Sequence, residues 1–341
     1  MNICVVLLTG LGDVVHGLPV VNAIKRQYPD AHITWVVEPM PSGILRPHPS
    51  VDEVVVFHKK NGLAGVRQLR REMAGRTFDV VLNFNIYFKS IWGVAFSRAP
   101  RRIGFGRPIA RDGVSLFANE HLPRKVRAHT QEMFLDFLLA MGIAPGELQW
   151  LIPITEPERT EQEMFFAQLR DRPVIGVVGA SANKSKDWPA DRYPKLVDAL
   201  VEQFNAHVVL LGGPGERELA VARNIIDTAR YRAVWGLGDS IRRLVWLIDG
   251  CNLIIAPDTG PVHIARALEV PVLGLYGHTN PWRVGPYEKY NDLWIDRYTD
   301  GAPDPTNFAP KAGRMELITI EDILEKVALA IPRNIPRNIP Q

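Results

Sequence analysis

The chain has 341 residues, 46% of them hydrophobic and 23% charged, with a formal net charge of +3. That length exceeds one ordinary core and fits two domains, and the composition excludes a disordered chain. No apolar run is long enough to span a bilayer, and Cys4 and Cys251 each lie inside an apolar run, which excludes a disulfide framework and points to buried thiols in a reducing compartment.

The first residues enter a buried-strand pattern directly, so no signal peptide is expected and the cytoplasm is the expected location. Positions 3–8, 33–37, 54–57 and 80–83 read as strands, and apolar residues recur at helical spacing over 14–28. This alternation predicts a parallel sheet with helices on both faces. Around 151–157, Pro153 and Pro157 bracket a polar turn that reads as a linker, with Thr155 placed to cap the next helix. The rhythm then restarts. Strands are predicted at 174–178, 207–211, 233–235, 253–256 and 272–276, and helices at 190–204, 216–229, 241–249 and 261–268.

The expected fold is therefore α/β, with two doubly wound, Rossmann-like domains at 1–155 and 156–318. A last helix at 319–331 is opened by Thr319 with Asp322 three residues on. The tail at 332–341, which carries a repeated Ile-Pro-Arg-Asn, is expected to be disordered. Doubly wound sheets bind ligands beyond the carboxyl ends of their strands, so a cleft between the two sets of strand ends is the expected site.

The first strand runs into Thr9-Gly10-Leu11-Gly12-Asp13 and then a helix. A dinucleotide fingerprint there matches at Gly10 and Gly12 but has Val15 at its third glycine, with Glu38 placed as a ribose-binding acid. The other reading centres on Asp13, a carboxylate favoured at a helix start and able to accept a proton from a sugar hydroxyl. The plainer reading is that Asp13 caps its helix, and that His16, one turn on, is structural.

In the second half, Pro257-Asp258-Thr259-Gly260-Pro261-Val262-His263 follows an apolar strand. Proline suits the first helical position, and a glycine beside it leaves room for an anion at the helix start. The plainer reading is a helix capped by Thr259 or Asp258. Two further loops follow strands: 179–189, with Ser181, Lys184 and Lys186, and Gly212-Gly213-Pro214-Gly215-Glu216. Lysine offers a point charge to phosphate, although the Walker spacing is absent. No metal-ligand constellation is present in the sequence.

Gly12-Asp13, Lys186-Asp187-Trp188-Pro189, Gly212-Gly213-Pro214, and Asp258-Thr259-Gly260 with His263 occur in this order. In that order they resemble glycosyltransferase family 9, the heptosyltransferases that build the inner core of lipopolysaccharide, from the first strand to about Pro286. The resemblance implies a GT-B fold, inverting and metal-independent chemistry without a cofactor, ADP-L-glycero-D-manno-heptose as donor and the lipopolysaccharide inner core as acceptor. It implies that Asp13 is the general base, with Thr9, Gly10, Gly12 and His16 around it. It implies that Lys186 holds the diphosphate during catalysis, with Ser181 in the same donor site. Thr259, Gly260 and His263 would take the phosphate end, Asp258 the heptose, and Glu216 (or Glu218) the ribose. The final helix would cross back onto the first domain.

The chain departs from the family where Asp-x-Gln is often found, having Asn83-Phe84-Asn85, although Lys89-Ser90 still fits. The segment 84–96 is rich in aromatic residues, for which core packing is the expectation. Residues 1–150 hold 18 Lys/Arg against 12 Asp/Glu, and the remainder 22 against 25. That asymmetry suits an acceptor bearing Kdo carboxylates and phosphates. The candidate acceptor ligands are Lys59, Lys60 and Arg67 in one cluster and Arg101 and Arg102 in another, with solvated surface as the plainer reading of each. Peripheral contact with the inner face of the inner membrane is expected, and a nucleic-acid partner is not. The competing classes are a nucleotide-sugar epimerase of the same fold, a non-catalytic nucleotide-sugar binding protein, and a dehydrogenase, which Val15 disfavours.

Overall fold

The computed structural model describes residues 1–124 and 126–331, so the tail expectation lies outside the described residues. The chain divides into two compact units, Met1–Pro153 and one that begins at Ile154. In the first, β1 (Asn2–Leu7), β2 (His32–Val37), β3 (Glu53–Val56), β4 (Val80–Asn83), β5 (Arg101–Phe105) and β6 (Glu120–Leu122) form a parallel sheet in the order β3-β2-β1-β4-β5-β6. In the second, β7 (Val174–Val178), β8 (His207–Leu211), β9 (Val234–Trp235), β10 (Leu253–Pro257), β11 (Val272–Tyr276) and β12 (Ile295–Asp296) repeat that order as β12-β11-β10-β7-β8-β9.

Central strands of such sheets are covered on both faces, which is why they read as continuous apolar runs. Ile3–Leu7, Val174–Val178 and Leu253–Pro257 are buried throughout. Each such Val, Leu or Ile contributes roughly 1.5–3 kcal/mol of transfer free energy. In both sheets the strand order reverses once, between β1 and β4 and between β7 and β10. The loops leaving those strands diverge to opposite faces there, and the crevice between them is where doubly wound sheets take ligands.

The last helix, Ile320–Ala330, opens with the capping box between Thr319 and Asp322. It buries Ile323, Val327 and Ala330 in the core of the second unit. The aromatic segment after β4 is only partly core. Phe84, Ile91 and Val94 are buried, but Tyr87, Phe88 and Trp92 are exposed.

Candidate active site

In the first unit, β1 ends at Leu7 and the helix Leu11–Gln27 begins four residues later. Gly10 is its N-cap, in extended backbone, and no side chain caps the helix. A side chain at Gly10 would meet no protein atom within 4 Å, so the space beside the turn is open to a ligand. Asp13 sits in the first helical turn, half-buried, and makes no hydrogen bond among the described residues. The capping role that competes with its chemistry is therefore not one its side chain performs.

The turn is stitched to the end of β4 by Asn85, which Asn83 Oδ1 holds in place; both depart from the family pattern. Asn85 Oδ1 accepts from Leu8 N at 3.1 Å, and Asn85 Nδ2 donates to the Val6 carbonyl at 2.9 Å. The loop beyond them brings in Lys89. Its ammonium lies 3.7 Å from Glu38, which also binds Lys59 at 2.6 Å. Burial and the neighbouring Lys59 charge hold the Lys89 ammonium below its ordinary range, against the opposing pull of Glu38 and Asp13. Two cations and two carboxylates thus gather where the first strand order reverses.

His16 is buried, its Nδ1 3.1 Å from Gln131 Oε1, while Gln131 Nε2 donates to the His16 carbonyl at 2.9 Å. The residue ties its helix to the one that carries Gln131. Lys60 and Arg67 are exposed. Arg101 and Arg102 are not brought to Asp13. They start β5, where Arg101 pairs in register with Val80 at the amino end of β4. Arg101 binds Glu120 through two hydrogen bonds, and Arg102 donates to the Phe117 and Ala99 carbonyls. They lie at the amino end of the strands, the end away from Asp13.

In the second unit, the loop leaving β7 and the loop leaving β10 meet across the point of reversal. Lys186 Nζ donates to Asp258 Oδ2 at 2.7 Å. Burial alone would raise the Asp258 carboxyl, but the Lys186 and His263 charges and hydrogen bonds from Lys186 and Thr279 outweigh it and hold the group below the usual carboxylate range. His263 is buried in the first turn of the helix Gly260–Ala267, with Nε2 3.9 Å from Asp258. Lysine has three donors, so Lys186 keeps capacity for an anion while it holds Asp258. Lys184, two residues earlier, is exposed.

The helix start differs in detail from the sequence expectation. Thr259 is the N-cap but makes no side-chain capping bond, so its hydroxyl is not spent on the helix. Pro261 has no N–H, and Val262 N already donates to the Thr259 carbonyl at 3.0 Å. The amide available to an anion is that of Gly260 rather than those after it.

The loop carrying Lys186 is held from below. Asp187 Oδ1 accepts from both the backbone N and the hydroxyl of Ser181, at 2.7 and 2.8 Å. Arg217 binds the other Asp187 oxygen and, at 2.6 Å, the Ser181 carbonyl. The Ser181 hydroxyl is therefore committed to the loop. Trp188 is a core residue whose Nε1 donates to the Ile318 carbonyl at 2.9 Å. Glu216 is exposed, whereas Glu218 accepts from Gly213 N at 2.7 Å and fills the glycine loop. Of the two acids, Glu216 is the one left open to a ligand.

Sequence reasoning missed Arg217, Thr279, Tyr276 and the close approach at Gly277. A Cβ at Gly277 would lie 2.5 Å from the Arg314 carbonyl carbon, so only glycine lets this loop bring Thr279 to Asp258. Tyr276 is fully buried with no hydrogen bond to its hydroxyl among the described residues, and burial and the Asp258 charge raise its phenol. In sequence it is simply the last residue of an apolar strand.

A family model, glycosyltransferase family 9 (heptosyltransferase), matches residues 66–300. A lipopolysaccharide core heptosyltransferase, OpsX of Haemophilus influenzae, is 29% identical over 302 residues, covering 88% of this chain and 86% of its own. Among solved structures, the family 9 glycosyltransferase of Veillonella parvula is similar at a TM-score of 0.82 and 24% identity, covering 98% of both chains. The Escherichia coli heptosyltransferase WaaC with ADP is similar at 0.75 and 20%, over 97% of this chain and 100% of that one.

Proposed function

The chain belongs to glycosyltransferase family 9, an enzyme of GT-B fold, and from that premise we propose that it transfers heptose from ADP-L-glycero-D-manno-heptose to the lipopolysaccharide inner core, with inversion and without a metal. The observation that carries this is the Lys186–Asp258 pair beside the open Gly260 amide, on a chain whose relative OpsX is a lipopolysaccharide core heptosyltransferase. The solved relative WaaC was captured with ADP, and a second WaaC structure with a fluorinated ADP-heptose.

In this reading Asp13 deprotonates the acceptor hydroxyl as its oxygen attacks the anomeric carbon. The bond to the diphosphate breaks on the opposite face, through an oxocarbenium-like state, and ADP leaves with the electron pair. Negative charge grows on the leaving group, where Lys186, the Gly260 amide and the Thr259 hydroxyl stabilise it. Asp258 first orients Lys186 and then takes a heptose hydroxyl, His263 supports it, and Glu216 takes the ribose. Lys59, Lys60 and Arg67 receive the acceptor's anionic groups, with Lys59 released from Glu38.

Because a lysine and a helix start supply the charge that a divalent cation would otherwise bring, transfer is expected to proceed unchanged in excess EDTA. The check is product formation followed by mass spectrometry. Loss of transfer in EDTA, with recovery on adding magnesium or manganese, would overturn the metal-independent reading.

A further inference from the structure

The aromatic run after β4 leaves a surface that nothing in the first unit covers. Tyr87, Phe88 and Trp92 are 43%, 48% and 39% exposed. The Phe88 ring meets Phe117 at 6.4 Å between centroids, which places the neighbouring Leu116, 77% exposed, on the same surface. Trp92 lies one helical turn beyond Phe88 and leans on Phe96 at 5.8 Å. Singly exposed apolar residues need no explanation, but a contiguous group with two amphipathic aromatics marks an interaction surface.

Charge says what kind. Between Lys59 and Arg111 the chain carries twelve Lys/Arg against two acids, Glu72 and Asp79, within a protein whose net charge is only +3. Four of the twelve pair with acids outside that stretch: Lys59 and Lys89 with Glu38, Arg76 with Glu53 and Arg101 with Glu120. Arg111 flanks the aromatics directly, since its backbone N donates to the Ile86 carbonyl at 2.7 Å. Tyrosine, tryptophan and an excess of basic side chains together suit the headgroup region of an anionic bilayer. Among the described residues no helix is long and apolar enough to cross a membrane, so the attachment is peripheral.

We propose that Tyr87, Phe88, Trp92 and Leu116, with Lys89 and Arg111 beside them, form the surface by which this protein sits on an anionic lipid bilayer. The proposal rests on the reading of the acceptor as lipid-borne, and it gives that reading a geometric reason. Lys89, next to Phe88, feels the Asp13 charge. A bilayer seated on the aromatics therefore presents headgroup-level sugars close to the base.

The test is co-sedimentation with vesicles of phosphatidylcholine alone or mixed with phosphatidylglycerol, with no donor or acceptor added. The wild-type protein is expected to bind the anionic vesicles and to lose that binding in high salt. The triple variant Tyr87→Ser, Phe88→Ser, Trp92→Ser, with unaltered thermal melting, is expected to partition about tenfold less. Met164→Ser, at an exposed position of the second unit, is expected to bind as wild type. If the triple variant does not fold, Trp92→Phe serves instead, because quenching of tryptophan fluorescence by brominated lipid is expected to fall when that ring is replaced. Equal binding by wild type and triple variant, or no binding by wild type, overturns the proposal. So does light scattering that shows a wild-type dimer dissolved by the triple variant, which would assign the surface to a second copy of the chain. Because binding is read without turnover, a protein that holds vesicles yet transfers nothing would sink the functional reading and leave this one standing.

Discussion

Asp13→Asn is expected to lower turnover by about 10²-fold or more, the scale of a lost general base, while donor affinity stays near wild type. The fold has little reason to object. The Asp13 side chain makes no hydrogen bond among the described residues, and Gly10, the N-cap, offers no side-chain cap. Asparagine keeps the size but cannot take the acceptor's proton. The proposed donor groups belong to the second unit, so each half of the proposed chemistry can be disabled separately. Melting temperature, ADP affinity and turnover measured on one preparation separate the possibilities. A folded Asp13→Asn protein with near-normal turnover would remove Asp13 from the mechanism. His16 is then a poor substitute, because its ring is buried and bound to Gln131.

Lys186→Ala carries the second large effect. A charged hydrogen bond to the diphosphate contributes roughly 1.5–3 kcal/mol, so ADP affinity is expected to fall about 10- to 150-fold. Lys184→Ala is the internal control and is expected to leave affinity unchanged, since Lys184 is exposed and two residues from the pair. The lysine also matters to stability. The Asp258 carboxyl is held below its ordinary range, so its contribution is present above that range and is lost only as pH falls through the lowered value. Without Lys186 less opposes the effect of burial, and the loss of stability begins at higher pH. Calorimetry with ADP, together with melting across pH, checks both parts. Unchanged ADP affinity would take Lys186 out of the donor site, and an unshifted acid profile would deny the pair its structural weight.

The doubly wound architecture was legible because the central strands are covered on both faces and so are written as unbroken apolar runs. The strands that escaped notice are those for which this does not hold. β5 opens with two arginines, β6 is the three residues Glu120–Leu122, and β12 is only Ile295–Asp296. A strand that short, or one that opens on charge, is recognised by its neighbour, and one sequence does not print the neighbour. The candidate donor loops were legible for a similar reason, since glycine, proline and lysine at strand ends have few other uses. Their internal bonding was not. That Ser181 serves Asp187, that Glu218 fills the glycine loop, and that Lys186 meets Asp258 are contacts between segments 6, 5 and 72 residues apart. Charge clusters misled most. Arg101 and Arg102 stand close to other basic residues in sequence, yet the strand direction carries them to the end of the sheet away from Asp13. The aromatic run after β4 has the composition of a core, and only the fold distinguishes the buried Phe84 from the exposed Phe88.

The most direct test of the account is the reaction itself. The protein is incubated with ADP-L-glycero-D-manno-heptose and Kdo-lipid A, with a heptosylated core, or with no acceptor, and the products are resolved by mass spectrometry and the new linkage by NMR. The account predicts that an inner-core acceptor gains heptose, that ADP is released with it, and that the new linkage has the anomeric configuration opposite to the donor's. Conversion of the donor to an isomer without any acceptor would contradict it in favour of an epimerase. Retained configuration would contradict the single displacement on Asp13, and donor binding without consumption would contradict the assignment of transfer altogether.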